Sequence, residues 1–184
     1  MASINATTSS GIIATADNTG TLQLQSAGTT VMTITPTGVT TQVGAPAFSA
    51  FMTTSQNIPT GTVTKLIFNA EDYDTNSNFD PTTNYRFTPT VAGYYQLSAG
   101  AFASVGTAAR FGVVIYKNGT ESGWNFAGGV TSSGGGSTTL SSLFYANGTT
   151  DYFEVYVVQD SGVSVTVNNL SFLTWFRGFL ARSA

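Results

Sequence analysis

The densest group of ionisable side chains in the sequence is an acidic cluster. Glu71, Asp72 and Asp74 lie within the segment EDYD, and Asp80 follows six residues later. Hard cations such as Ca²⁺ bind several carboxylate and amide oxygens together, so this segment is a candidate calcium site. Its spacing does not match an EF-hand loop, and the alternative interpretation is a solvated turn. We expect no other metal or cofactor.

Hydrolytic chemistry has little support in this sequence. Paired carboxylates can cleave glycosides, and Glu121, Asp151 and Glu154 qualify by residue type, but none lies in a recognisable motif. The 184 residues include no His and no Cys. The commonest general base, the thiolate nucleophile and Cys-type zinc are therefore excluded. We predict a protein that is not an enzyme.

A binding role is suggested by aromatic residues beside a segment rich in Gly and Ser. In GWNFAGGVTSSGGGSTT (123–139), Trp124 and Phe126 precede the Gly/Ser run, which is typical of a loop. Loops on rigid scaffolds often carry recognition, and exposed aromatic rings can stack on sugars or fill pockets of a partner. We predict a ligand or receptor site at Trp124, Phe126 and Tyr73. The alternative is that Trp124 begins a buried strand.

Composition limits the kinds of partner. Six Lys and Arg stand against nine Asp and Glu, which gives a net charge of −3, and nucleic-acid-binding proteins instead carry a basic surface. No apolar run approaches the ~20 residues that cross a bilayer. The opening MASINATTSS has neither the basic start nor the apolar core of a signal peptide. We therefore expect no nucleic acid and no membrane insertion.

Short apolar runs separated by turn residues predict an all-β protein. The runs include FSAFM (48–52), VTKLIF (63–68), YYQLSAGAF (94–102), FGVVIYK (111–117) and SFLTWFRGFL (171–180), and no helical apolar period is sustained. Several predicted strands are apolar on both faces. A two-sheet sandwich buries only one face of each sheet, so the second face must meet another layer. This pattern predicts a homo-oligomer.

The first part of the chain differs from the rest. Residues 1–64 contain a single ionisable side chain, Asp17. Leu22 and Leu24 alternate with polar residues, as do Met32 and Ile34, and a Gly-containing turn of hairpin length separates the two runs. We predict an attachment or trimerisation segment over residues 1–46, with Leu22, Leu24, Met32 and Ile34 as its contact residues, followed by a domain over 47–184.

Residues 68–99 resemble the globular head domain of complement component 1, q subcomponent, which is related to the tumour necrosis factor fold. The spaced positions of that family's signature are filled by Phe68, Asp74, Phe79, Phe87, Gly93 and Tyr95. FSAF (48–51) and WFRGFLA (175–181) also resemble its first and last strands. The match departs at Leu97 and Ala99, where the family has aromatic residues.

The resemblance implies a ten-strand jelly-roll sandwich that forms a homotrimer. Some members of the family bind calcium near the apex of the trimer, which bears on the acidic cluster. The residues expected in the core or between subunits are Phe68, Phe79, Phe87, Tyr95, Phe153, Tyr156, Trp175, Phe176 and Phe179.

The segment TADNTGTLQLQSAGTTVMTITPTGVTTQVG is similar to segments of tailed-bacteriophage fibre and virion-surface proteins. The resemblance implies a trimeric structural protein on the virion surface, assembled in the bacterial cytoplasm, as a capsid decoration (cement) or head fibre. Its partners would be other copies of itself and capsid or tail proteins. The first alternative is a tail-fibre tip that recognises a host surface glycan or protein. The second is a free lectin-like or signalling module.

Overall fold

The computed structural model describes residues 19–42, 44–103, 110–127 and 135–184. All regular elements among these residues are β-strands. The chain divides into two compact units, Met1–Gly44 and Ala45–Ala184.

The described part of the first unit is an antiparallel three-stranded sheet. Its strands are β1 (Leu22–Ser26), β2 (Thr29–Ile34) and β3 (Thr40–Gln42), in that order. The β1–β2 turn contains Ala27 and Gly28, both with positive φ (49° and 79°). Two such residues give a hairpin turn that matches the twist of the flanking strands.

The second unit is a sandwich of two antiparallel sheets. The first sheet has the order β5-β15-β10-β16-β4-β7, with β13 also paired to β10, and the second has the order β12-β11-β14-β9-β8, with β6 paired to β14. The strands are β4 (Ala47–Phe51), β5 (Gln56–Ile58), β6 (Thr64–Lys65), β7 (Ala70–Asp74), β8 (Phe79–Asp80), β9 (Arg86–Phe87), β10 (Gly93–Ala103), β11 (Phe111–Lys117), β12 (Thr120–Ala127), β13 (Gly136–Ala146), β14 (Phe153–Gln159), β15 (Val165–Val167) and β16 (Trp175–Ser183).

Aromatic rings fill the space between the two sheets. Phe48 stacks on Phe87 with ring centroids 4.2 Å apart and meets the edge of Phe176 at 4.9 Å. Tyr95 is fully buried and donates its hydroxyl hydrogen to the carbonyl oxygen of Val91 at 2.7 Å. Burial raises the pKa of Tyr95 to about 12. Four positions of the sequence signature, Phe68, Phe79, Phe87 and Tyr95, therefore lie in this core.

Two other signature positions have a local physical explanation. A Cβ atom on Gly93 would lie 2.4 Å from the carbonyl oxygen of Arg182 on the paired strand β16, so only glycine fits without a backbone shift. The carboxylate of Asp74 accepts the backbone N–H groups of Asn76 and Phe79 at 3.2 and 2.7 Å. Asp74 thus fixes the turn between β7 and β8.

Two of the predicted strands are shorter than the sequence suggested. Of VTKLIF (63–68), only Thr64–Lys65 forms a strand, because the side-chain amide of Gln56 binds Lys65 O and Ile67 N in place of a neighbouring backbone. Residues 171–174 form a turn in which the carbonyl of Leu170 accepts two backbone N–H groups. The last strand therefore begins at Trp175.

The segment predicted as a loop over 123–139 is largely strand. β12 continues to Ala127 and β13 begins at Gly136, while residues 128–134 of the Gly/Ser run lie outside the described residues. Trp124 and Phe126 therefore lie on a strand of the second sheet, and the prediction that they lie on a loop is wrong. β12 pairs with β11 over its whole length, which fixes both side chains on a rigid element.

Candidate interaction surfaces

The first sheet carries large apolar side chains on the face that points away from the core. We call this surface the aromatic face and define it by the outward side chains of β4, β7, β10, β13 and β16. Strand register places Gln96 between Leu143 and Phe179, and Tyr94 opposite Tyr145. The members are Phe51, Tyr73, Tyr94, Leu143, Tyr145, Trp175 and Phe179.

Much of the aromatic face is open to solvent in the single chain. Leu143 is 54% exposed, Phe179 and Tyr73 are each 52% exposed, and Tyr145 and Tyr94 are 45% and 44% exposed. Single exposed apolar residues are ordinary, but several large ones on the same face of a sheet indicate an interaction site. This surface has the composition expected of a protein interface, where aromatic residues are enriched.

The polar groups in the middle of the aromatic face already bind one another. Arg177 Nε donates to Ser49 Oγ at 3.0 Å, and Ser49 Oγ in turn donates to Asp72 Oδ2 at 2.8 Å. The Ser98 and Ser141 hydroxyls lie 2.7 Å apart. Polar groups that already have partners cost less to remove from water than free ones. A second protein surface can therefore cover this face.

The nine residues predicted for the core or for subunit contacts lie in three different parts of the second unit. Phe68, Phe79, Phe87, Tyr95, Phe153 and Phe176 are buried between the sheets. Trp175 and Phe179 lie on the aromatic face. Tyr156 is half-buried on the outer face of the second sheet, where its ring centroid is 4.2 Å from that of Tyr116. Burial, followed by the neighbouring Glu154, raises the pKa of Tyr156 to about 12.

The three residues predicted to bind a ligand do not come together. Trp124 and Phe126 stack on the outer face of the second sheet, with centroids 5.2 Å apart and rings 16° from parallel. Tyr73 lies on the opposite sheet, as part of the aromatic face. Sequence reasoning could not separate them because the distribution of strands between sheets follows from long-range pairing.

Three carboxylates of the acidic cluster accept hydrogen bonds from separate groups of the protein. Asp74 binds backbone N–H groups, Asp72 accepts from Ser49, and Asp80 Oδ1 accepts the backbone N–H groups of Thr82 and Thr83, both at 3.0 Å. Burial, with the charges of Asp74 and Asp80, raises the pKa of Glu71. Within the described residues, no three carboxylates converge in a group that could hold a metal ion. Glu71, Asp72 and Asp74 are thus not brought together as calcium ligands.

The carboxylates considered for hydrolysis each have structural partners. Glu154 forms an ion pair with Lys65, and Asp151 forms one with Lys117 at 2.9 Å. Burial opposes ionisation of Asp151, but hydrogen bonds from Asn118 and Lys117 outweigh it and lower the pKa of that carboxyl. These groups hold strands and turns in place.

Glu121 connects two aromatic side chains of the second sheet. Its two carboxylate oxygens accept hydrogen bonds from Tyr116 Oη and Trp124 Nε1, each at 3.0 Å. Glu121 therefore orients the indole ring of Trp124.

The four apolar residues predicted as contact residues of the first unit lie on one face of its sheet. Register places Leu22 opposite Ile34 and Leu24 opposite Met32. Leu22 and Leu24 are 41% and 44% exposed, while Met32 and Ile34 are half-buried. Gln23 and Thr33 point to the other face. The alternation read from the sequence thus produces one apolar and one polar face.

The two sheets, their strand order and the position of the core define a jelly roll of the tumour necrosis factor type. Solved structures share this fold. Murine APRIL at pH 5.0 matches with a TM-score of 0.58 and 11% identity, over 74% of this chain and 98% of that one. Eiger, a tumour necrosis factor from S. frugiperda, matches with a TM-score of 0.52 and 10% identity, over 76% and 93%.

A virus protein has the same fold. The PRD1 vertex protein P5 matches with a TM-score of 0.55 and 12% identity, over 77% of this chain and 100% of that one. No family model and no curated protein matches the sequence. The predicted all-β jelly roll is confirmed, and identities this low establish the fold alone. Among the described residues, no helix has the length and apolarity needed to span a membrane.

Proposed function

We propose that this protein is a non-enzymatic, homotrimeric structural protein on the surface of a tailed-phage virion, acting as a capsid decoration or head fibre. The observation that carries the proposal is the aromatic face. A jelly roll that exposes five large apolar side chains at about half of their area on one sheet favours a covering layer. Another copy of the same chain is the simplest cover, because most soluble oligomers are closed symmetric assemblies of one chain.

The free energy available from covering the aromatic face is of the size that assembly needs. Fully burying one large apolar side chain contributes roughly 1.5–3 kcal/mol. Half-burying five of them in each subunit therefore gives on the order of 4–7 kcal/mol per subunit before the cost of association. A threefold arrangement supplies this gain three times, on the order of 12–21 kcal/mol per trimer, which is comparable with the roughly 4–15 kcal/mol that each of the two association steps costs.

The placement on a virion is supported by two further features. The fold is also that of the PRD1 vertex protein P5, a virus component. The first unit presents its own apolar face, formed by Leu22, Leu24, Met32 and Ile34. We assign this face to attachment, either to a capsid or tail protein or to the same segment of neighbouring subunits.

The attachment role is tested by truncation at the boundary between the units. Particles lacking the protein are incubated with the full chain or with residues 45–184, and the bound copies are quantified by mass spectrometry. We expect the full chain to decorate the particles and the truncated chain not to bind. The double substitution Leu22→Ser and Leu24→Ser is expected to act as the truncation does. Full occupancy by the truncated chain would refute the assignment of the first unit to attachment.

A further inference from the structure

The outer face of the second sheet contains a hollow of about 160 Å³ beside the stacked pair Trp124 and Phe126. Its lining consists of Arg110, Trp124, Phe126, Val158, Gln159 and Asp160. All of these residues belong to one chain. The hollow lies on the opposite side of the sandwich from the aromatic face, so it does not depend on the proposed trimer.

The aromatic wall of the hollow is held rigidly. Phe126 lies opposite Gly112 in strand register, and a Cβ atom there would come within 2.5 Å of the phenyl ring, so the missing side chain lets the ring lie against the strand. Trp124 stacks on Phe126, and its indole N–H donates to Glu121. Beneath Trp124, Val114 is fully buried although it points away from the main core. The two rings remain 38% and 44% exposed.

Beside the aromatic wall, with the guanidinium carbon of Arg110 5.9 Å from the centroid of the Phe126 ring, lies an ion pair with unused hydrogen-bonding capacity. Asp160 accepts the backbone N–H and the Nε–H of Arg110, both at 2.6 Å. The two Nη groups of Arg110 have no hydrogen-bond partner among the described residues, and the Arg110 side chain is 69% exposed. Hydrogen bonds from Arg110 lower the pKa of Asp160, which stays ionised at neutral pH. Free donors and a carboxylate acceptor therefore lie side by side with no net charge.

We propose that this hollow binds a neutral saccharide unit. A pyranose ring has an apolar C–H face, which suits an exposed aromatic wall, and a rim of hydroxyl groups that each donate and accept hydrogen bonds. The Arg110–Asp160 pair offers both kinds of partner. The neutral pair favours neutral sugars over acidic ones. The volume is below the roughly 300–1,000 Å³ of sites that enclose larger ligands, so a single or terminal sugar unit is the expected occupant.

The test is saturation-transfer-difference NMR on the full chain with a panel of methyl pyranosides of glucose, galactose, mannose and N-acetylglucosamine at millimolar concentration. We expect at least one pyranoside to receive saturation. Trp124→Ala is expected to weaken its binding roughly 2- to 12-fold, as the loss of one aromatic contact does. Arg110→Gln changes an exposed side chain, so it tests the site without risk to the fold and is also expected to weaken binding. Gly112→Ala, which displaces Phe126, is expected to do the same.

Phe179→Ala is the matched control, because it removes a similarly exposed phenyl ring from the opposite sheet and is expected to leave the saccharide affinity unchanged. The inference is overturned if no pyranoside in the panel gives a signal, or if binding has the same affinity in Trp124→Ala and Arg110→Gln as in the unmodified chain. Neither result bears on the proposed trimer, since the native mass of the assembly is measured separately.

Discussion

Replacing Phe179 by alanine is expected to weaken the trimer by a calculable amount. Phe179 is 52% exposed in the single chain, and it lies on the aromatic face between Ala47 and Gln96. Burying the remaining half of a phenyl side chain contributes roughly 0.8–1.5 kcal/mol per subunit. Three copies then contribute roughly 2.3–4.5 kcal/mol to each trimer.

This loss translates into a shift in the concentration at which the trimer dissociates. Because a three-body equilibrium depends on the square of concentration, the midpoint is expected to rise roughly 7- to 40-fold, at about 1.4 kcal/mol per tenfold change in the equilibrium constant. Analytical ultracentrifugation over a dilution series measures the midpoint directly. Phe126→Ala, on the opposite sheet, is the matched control and is expected to leave the midpoint unchanged. Equal midpoints for Phe179→Ala and the unmodified chain would show that the aromatic face is not the subunit interface.

Three further predictions concern the fold and the charged turns. Gly93→Ala forces a Cβ against the backbone of Arg182 and is expected to lower the free energy of unfolding by about 1–3 kcal/mol in urea titrations; an unchanged midpoint would contradict the close packing at this position. Backbone N–H groups of Thr83 and Thr82 hold the pKa of Asp80 well below its ordinary value of 3.8. The stability that the ionised Asp80 carboxylate contributes to the fold is therefore complete above pH 3.8 and is lost as the pH falls below that value. The substitution Asp80→Asn is therefore expected to lower the free energy of unfolding by about 1 kcal/mol at pH 7. The variant is also expected to lose less stability on acidification than the unmodified chain, and parallel curves of stability against pH would contradict this. In thermal unfolding, residues 45–184 alone are expected to unfold cooperatively, because all residues of the hydrophobic core found in the described part of the chain belong to that unit; loss of cooperativity would contradict this expectation.

The strands of the sandwich could be predicted well from the sequence. The run 111–117 forms β11 with the predicted bounds, and 94–102 lies within β10. Both runs carry strong β-formers with turn residues on either side, so local preference and tertiary pairing agree. Alternation in the first unit likewise placed Leu22, Leu24, Met32 and Ile34 on one face, because a strand has a side-chain period of two.

The interaction surfaces could be predicted only in part. Gly and Ser around residue 130 suggested a long loop, but pairing with β11 extends β12 to Ala127 and makes Trp124 and Phe126 part of a strand. The contact of Arg110 with Asp160 joins residues 50 positions apart, and nothing local in the sequence indicates it. The Gln56 side chain that replaces a strand partner beside Lys65 is likewise visible only in three dimensions. The position of a strand depends mainly on the local sequence, whereas an interaction site depends on which strands become neighbours in the folded protein.

The native mass of the purified chain, measured by multi-angle light scattering, is the most direct test of the homotrimer. Three subunits of 19.2 kDa give a particle of about 58 kDa, and we expect this mass for the full chain and a proportionately smaller trimer for residues 45–184. Loss of the trimer on truncation would move the main subunit contacts from the aromatic face to the first unit. A stable monomer for both chains at micromolar concentration would contradict the trimer and, with it, the proposed role on the virion.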